Sequence, residues 1–389
     1  MPFLARLLAL LLVPFSAHAQ APPRYDLERL LLSPRSAALG LNEAGDVVGW
    51  VEDTEQLSLS ALISFHDERH APLVLPNVSV FTDINEARWC VGASLDGWPT
   101  DAFVEDATPV LGEAVAYHPD SGRWPIDFSD TGFIAEHSSA YGVNDAIPPM
   151  VTGIADIGEC RLAFVATVEP NATPTLLLPW WDSDASEGLA VSTPNAATGL
   201  GRQVVGTSRP CGITHAACEG IAAPTDLGLS ATRWDVDGSP KGLDRRASVQ
   251  RRGSVGRDIA SSTGWICGSR MTAAGCLSEA VIWKAGVVEV LPTPPGMAVT
   301  RARAVAMNES GAAVGWMQET PKGPKHPTVW LADPRRVFLL DPLVVQPGWT
   351  LVEVTDINDR GQICGSARRG SLHQNAVVLN PPPPIGPPA

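Results

Sequence analysis

A short phrase repeated at intervals of about fifty residues constrains this chain more than anything else in it. A small or apolar residue, two variable positions, an aliphatic and then Asn recur at Ala38-Leu-Gly-Leu-Asn42, Phe81-Thr-Asp-Ile-Asn85, Ala140-Tyr-Gly-Val-Asn144, Ala304-Val-Ala-Met-Asn308 and Val354-Thr-Asp-Ile-Asn358. Gly256-Arg-Asp-Ile-Ala260 lacks the Asn, and Gly188 to Ser192 is weaker still, which makes seven copies. A polar turn follows, then two or three apolar residues ending in Gly. In four copies the Asn-to-Gly spacing is seven residues, ending at Gly49, Gly92, Gly315 and Gly365. This is the pattern of a β-hairpin, with Asn capping the turn through its own side chain and Gly supplying positive φ.

Each unit continues with a small residue and then apolar, often aromatic positions: Ala114–Tyr117, Ala231–Trp234, Ala280–Trp283 and Pro327–Trp330, with plainer copies at Ala61–Ser64, Ala163–Ala166 and Ala376–Leu379. A Gly or Asp turn then leads to short Leu/Val runs such as Leu73–Leu75, Leu176–Leu178 and Val290–Leu291. Four short strands, A to D, form one unit. A lone sheet of this size cannot bury both faces, so the units must pack on one another. Radial packing of such sheets is a β-propeller, so the expected fold is all-β: a seven-bladed β-propeller of four-stranded antiparallel blades, with six or eight blades as the alternative counts. An open solenoid or a pair of sandwiches is the competing architecture.

The ends fit a ring. The seventh unit stops after its third strand, near Asn380, whereas Arg24 to Leu30 resembles a fourth strand with nothing ahead of it. The N-terminal segment is expected to complete the last blade and hide two open edges. Before it, Arg6 is the only charge, Leu7 to Phe15 is an apolar run and Ala17-His18-Ala19 fits the small-x-small cleavage rule. Residues 1–19 are therefore expected to be a signal peptide, 20–380 a single propeller domain and 381–389 a Pro-rich disordered tail. The apolar stretch is too short to span a bilayer, so no transmembrane anchor is expected. The mature chain should be exported, either secreted or periplasmic.

The chain resembles the HAF-type extracellular repeat family, whose A-x-x-I-N-x-x-G-x-V-V-G phrase is matched by Ala38–Gly49 and Val354–Gly365. Of that family's third-strand His-Ala-Phe phrase, His326-Pro327 keeps the His. The resemblance covers nearly the whole mature chain and implies a secreted or surface β-propeller-like repeat protein. It brings no catalytic residues with it.

Export places all seven cysteines in an oxidising compartment. Cys211 and Cys218 share one Gly/Pro/Ala-rich segment and are candidates for a small disulfide loop. Cys267 and Cys276 flank a hairpin, and a turn centred on Met271-Thr272 would set their sulfurs opposite each other. Cys90, Cys160 and Cys364 have no obvious mates, and an odd count leaves at least one thiol free or intermolecular.

Antiparallel order places the A–B and C–D turns on one face and the B–C and D–A connections on the other. The long segments Gly92–Gly112, Pro125–His137, Pro179–Glu187, Thr207–Leu229 and Asp244–Ser254 all belong to the second face. Clustered long loops on a rigid scaffold are where recognition is usually built. The candidate ligand-binding residues there are Trp98, Asp101, Trp180, Trp181, Asp182 and Asp184, aromatics beside carboxylates that suit a sugar or a peptide. Arg245 and Arg246 open a basic island able to dock an anionic glycan or an acidic partner. A net charge of −14 argues against a nucleic-acid partner. HExxH, GxSxG, EF-hand and Gly-rich phosphate patterns are absent, so no metal, cofactor or catalytic residue is assigned. The expectation is a monomeric, non-catalytic scaffold for an unknown glycan or protein ligand, the alternative being a glycan-active hydrolase or lyase on the same fold.

Overall fold

A computed structural model describes residues 22–382 apart from 32–34, 54–57, 67–71, 76–77, 79, 95–111, 133–134, 158–159, 180–184, 210–229, 236, 244–252, 273–276, 334 and 371–372. Strands pair antiparallel, in chain order, in groups of four. The first group is β2 (Ser36–Leu41), β3 (Val47–Asp53), β4 (Ser58–Ser64) and β5 (Leu73–Leu75). The second is β6 (Val80–Ile84), β7 (Cys90–Ser94), β8 (Glu113–His118) and β9 (Gly122–Pro125), and the third β10 (Ala135–Val143), β11 (Met150–Ile157), β12 (Cys160–Thr167) and β13 (Thr175–Leu177). Next come β14 (Ala185–Val191), β15 (Val204–Arg209), β16 (Ser230–Trp234) and β17 (Pro240–Gly242).

An eight-stranded sheet follows. It consists of β18 (Ser254–Ile259), β19 (Ile266–Met271), β20 (Ser278–Lys284) and β21 (Val287–Val290), then β22 (Arg301–Met307), β23 (Ala313–Gln318), β24 (His326–Leu331) and β25 (Arg336–Leu339). Its two antiparallel halves are joined by one parallel pair, Ser278 with Arg301. Last come β26 (Trp349–Ile357), β27 (Ile363–Arg369) and β28 (Asn375–Asn380), with β1 (Asp26–Arg29) on the free edge of β28 in the register Asp26–Asn380 to Arg29–Val377. Each phrase read from the sequence lies on the strand expected of it.

The core sits between neighbouring groups, because both faces of every group are apolar. Strand β3 packs on β6, β7 on β10, β12 on β14, β15 on β18, β19 on β22, β23 on β26, and β27 returns to β2. The third-strand aromatics are the largest fillers: Trp234, Trp283 and Trp330 are fully buried. Two of them also tie groups together, since the indole of Trp234 donates to the Leu178 carbonyl at 2.6 Å and that of Trp330 to Pro292 at 2.9 Å.

A β-bulge recurs at one place in every first strand, between Ala38 and Gly40, Phe81 and Asp83, Ala140 and Gly142, Gly188 and Ala190, Gly256 and Asp258, Ala304 and Ala306, and Val354 and Asp356. The bulge corrects the role expected of the strand glycines. Positive φ belongs to the turn, at Gly45, Gly311 and Gly361, and at Arg88 where the second unit lacks the Gly. The strand glycine is needed instead because the partner backbone presses against it: a Cβ at Gly315 would sit 1.9 Å from the Arg303 carbonyl oxygen, and one at Gly206 1.8 Å from that of Glu187.

Buried serines in the first strands supply a second tie that the sequence reading missed. Ser138, Ser186, Ser254 and Ser36 each accept, at 2.9–3.0 Å, the backbone N–H of Ala114, Ala163, Ala231 and Ala376, the small residue opening the third strand of the preceding group.

The hairpin expected around Met271-Thr272 turns later. Thr272 N–H bonds to Leu277 C=O, so Cys267 lies opposite Ile282, as a free, buried thiol. Cys276, Cys211 and Cys218 fall outside the described residues. Cys90 and Cys364 are also free and buried.

Gly315→Ala forces backbone against backbone with no side chain able to yield, so it should cost about 3 kcal/mol or more. Gly122→Ala, at φ +77° in open space, should cost only about 1 kcal/mol. Thermal melts of the two variants test this directly.

Candidate functional site: the central axis

The seven bulged strands run along one axis, and the turn after each carries a residue that reaches sideways to the next group. The Asn expected to cap its own turn does so: Asn85 Oδ1 accepts the Trp89 N–H and Asn308 Oδ1 that of Ala312, both at 2.9 Å. Its amide nitrogen does something the sequence did not disclose. Asn42 Nδ2 donates to the Asn85 carbonyl, Asn85 to Asn144, Asn144 to Ser192, Asn308 to Asn358, and Asn358 back to Asn42, at 2.7–3.1 Å.

The residue after this position extends the relay through the copies that lack Asn. The Glu43 N–H donates to the Glu86 carboxylate, Glu86 to Asp145 (2.8 Å), Asp145 to Thr193 Oγ1 (2.9 Å) and Thr193 to Ser261 Oγ (2.9 Å). Ser261 donates to Glu309 (2.6 Å), Glu309 to Asp359 (2.8 Å), and Asp359 to Glu43 (2.6 Å). Every donor is a backbone amide at a turn and every acceptor a side-chain oxygen of the next group. Burial raises the carboxyl pKa of Glu43 and of Glu86, with neighbouring acids adding to it.

One residue before the aliphatic of the phrase, the axis is lined by Gly40, Asp83, Gly142, Ala190, Asp258, Ala306 and Asp356. The space is tight: a Cβ on Gly40 would meet Asp83 Cα at 2.7 Å, and one on Gly142 would meet Ala190 Cα at 2.9 Å. Each Asp there holds two amides at 2.7–2.8 Å. Asp83 takes Ile84 and, across the group boundary, Val143; Asp258 takes Ile259 and Met307; Asp356 takes Ile357 and Leu41. Thr82 and Thr355 add hydroxyl bonds to the carbonyls of Ala140 and Ala38. Burial pushes the Asp83 carboxyl up to about 7 and that of Asp258 up to about 6, against the pull of their amides. It lifts Asp356 well above the usual range, with Asp83 and Asp258 adding like-charge repulsion.

Toward the long-loop end the lining changes. Tyr141 contributes a hydroxyl whose pKa is raised by burial and then by Glu187, with Arg161 and Arg257 acting the other way. Glu187 is buried, its carboxylate 3.5 Å from Thr207 Oγ1. Arg303, also buried, lies over the Trp316 ring at 5.5 Å, which Lys325 covers at 4.9 Å. Glu353 accepts from Ser366 Oγ and Gln374 Nε2, both at 3.2 Å. Charges of both signs therefore line this end, whereas the positions of Asp83, Asp258 and Asp356 carry acids. Among the described residues, no three His, Cys, Asp or Glu side chains gather in a way that would hold a metal ion.

The strand order confirms that 95–112 and 210–229 link second to third strands, and that 178–184 and 243–253 link one group to the next. Trp98, Asp101, Trp180, Trp181, Asp182, Asp184, Arg245 and Arg246 lie outside the described residues. The axial acids were legible only as part of the repeat phrase, because nothing in Thr-Asp-Ile-Asn distinguishes a solvent-facing Asp from one aimed along an axis.

No family model and no curated protein matches this sequence. Solved structures do match in shape. The β-propeller domain of the Trilobed protease from Pyrococcus furiosus aligns over 91% of this chain and 100% of that one, with 8% identity and a TM-score of 0.53. Pyrococcus horikoshii acylaminoacyl peptidase aligns over 92% of this chain and 53% of that one, at 8% identity and a TM-score of 0.48. TolB from Acinetobacter baumannii aligns over 75% and 63%, at 15% identity and 0.39. The first likeness, with the four-stranded antiparallel groups, shows a β-propeller fold and nothing about activity.

An acid whose pKa is raised by folding contributes stability that is complete below its unfolded value near 4. That contribution is lost as pH climbs to the folded value, here about 6 to 7 for Asp258 and Asp83. The melting temperature should therefore be higher at pH 5 than at pH 8. Asp83→Ala should flatten that slope and lower stability at pH 5 by about 2 kcal/mol, because two amides lose their acceptor. A melting temperature that rises from pH 5 to pH 8 would contradict this account.

Proposed function

We propose that this chain is an exported, monomeric, non-catalytic binding scaffold: a seven-bladed propeller, latched by its N-terminal strand, that takes a glycan or protein ligand at its long-loop end. The observation that carries the reading is how the axial acids are used. Asp83, Asp258 and Asp356 each commit both oxygens to backbone amides, and two of the four amides held by Asp83 and Asp258 belong to the next blade. Carboxylates so engaged hold blades together rather than transfer protons. The seven-step relay from Glu43 to Asp359 and back supports the blade count.

The latch is supported by the ladder between β1 and β28 and by the burial of Tyr25 and Leu27. Tyr25 also bonds Leu343 C=O and receives the Val345 N–H, both at 2.9 Å. Burial raises its phenol to about 12. Export is supported by the Leu7–Phe15 run and the Ala17-His18-Ala19 site, and by the HAF-type resemblance. Among the described residues no helix is long and apolar enough to cross a membrane. In this reading the mixed charges around Tyr141, Glu187, Arg257 and Arg303 form the floor of the recognition end.

Two experiments test this reading. Replacing 95–111 and 210–229 by short turns should abolish capture from a glycan or secretome array while the variant still melts cooperatively; unchanged capture contradicts the recognition end. Removing residues 20–31 should lower the melting temperature by about 5 °C or more and promote aggregation through the bared edge of β28. A variant as stable and soluble as the parent contradicts the latch.

A further inference from the structure

Three features meet at the opposite end, where the A–B and C–D turns lie, between the β6–β9 and β10–β13 sheets. The first is a cleft of about 20 Å³, walled by Trp124 and Ile126 on one side and by Val168, Glu169 and Ala172 on the other. That space accommodates a water-sized group such as an ammonium head. The Trp124 wall is held in place: its ring meets Trp89 edge-on at 6.1 Å, and Trp89 leans on His118 at 5.0 Å. His118 is itself fixed, its Nδ1 accepting the Asp120 N–H at 3.2 Å and its Nε2 lying 3.0 Å from the Ala87 carbonyl.

The second feature is Ile147, 96% exposed on a loop that is tied down. Asn144 Oδ1 accepts the N–H of Ala146 (3.3 Å) and of Met150 (2.8 Å). Pro149, two residues along, accepts the N–H of Val168 at 2.9 Å. The isoleucine is thus displayed next to the cleft by a pinned backbone. The third feature is charge. Glu169 at the cleft and Asp145 and Glu86 on the adjoining turns are exposed acids, and no Lys or Arg lines the cleft.

We propose that this patch is a docking surface for a basic, aliphatic peptide segment of a partner protein. A lysine ammonium enters the cleft against the Trp124 face and Glu169, and a neighbouring aliphatic side chain packs on Ile147. An ammonium over an indole with a carboxylate beside it gains from both the ring quadrupole and direct charge attraction. The patch lies at the end of the ring away from the long loops, so it stands independently of the recognition end proposed above.

The test uses the full processed chain and a fluorescein-labelled peptide of alternating leucine and lysine, followed by anisotropy. Saturable micromolar binding is expected, weakening about fivefold or more between 50 and 200 mM salt as exposed charges are screened. Glu169→Gln and Ile147→Asp, both at exposed positions, should each weaken binding about tenfold without moving the melting temperature. The loop-trimmed variant should bind as the parent does, which separates this surface from the long-loop end. Three results overturn the proposal: no binding at 1 mM peptide, equal binding of a norleucine-for-lysine peptide, or Glu169→Gln and Ile147→Asp variants that bind like the parent.

Discussion

Backbone amides at the inner edge of a small sheet have to find acceptors, and most of this structure follows from where they find them. The bulge in each first strand turns one amide out of its own ladder, and the turn that follows exposes another. An amide left unpaired at the buried bulge costs free energy comparable to a lost hydrogen bond. The chain answers by lending each group an oxygen from its neighbour: an Asn amide paired with a carbonyl, a turn amide with the next Glu, Asp, Ser or Thr, a third-strand Ala amide with the next Ser. Sideways bonding of this kind sets the angle between sheets more strictly than apolar packing alone, because hydrogen bonds are directional and burial is not.

The axial acids show what this arrangement costs. Three carboxylates within mutual electrostatic reach, in surroundings poor in water, resist ionisation. Four of the seven equivalent positions carry Gly or Ala, which keeps like charges from standing on every neighbouring strand. The same crowding explains the small residues: where Asp83 occupies the axis, Gly40 beside it has no room for a Cβ. The axis is thus better described as a bonded hub than as a passage, and the mixed charges around Tyr141 and Glu187 mark where the hub opens out.

Much of the fold was legible because its signals are local. The Asn phrase, the strand glycine and the third-strand aromatic each sit in an element whose period can be counted, and Arg24–Leu30 stood out as a strand without a partner. Other parts were illegible for identifiable reasons. The strand glycine answers to a neighbouring carbonyl, not to its own dihedral, so turn rules misassigned it. Ser36, Ser138, Ser186 and Ser254 recur at one offset from the phrase, a regularity as visible as the Asn, yet their role depends on an amide of another sheet, 23 or 24 residues earlier or at the other end of the chain. Cys267 was matched with Cys276 on an assumed turn that falls several residues later. The docking patch joins Trp124 of β9 with Ile147 and Glu169 from two turns of the next group, and only the packing of two sheets makes them neighbours.

The pairing of β1 with β28 has one more consequence. Asp26 stands opposite Asn380, so the chain enters and leaves the domain side by side, at the spot where every other unit connects its third strand to its fourth, by as few as the two residues between β20 and β21. Tension on the two ends would not shear that ladder but unzip it, loading its four residue pairs one after another. The β1–β28 ladder is therefore the part of the fold expected to yield first to a mechanical pull.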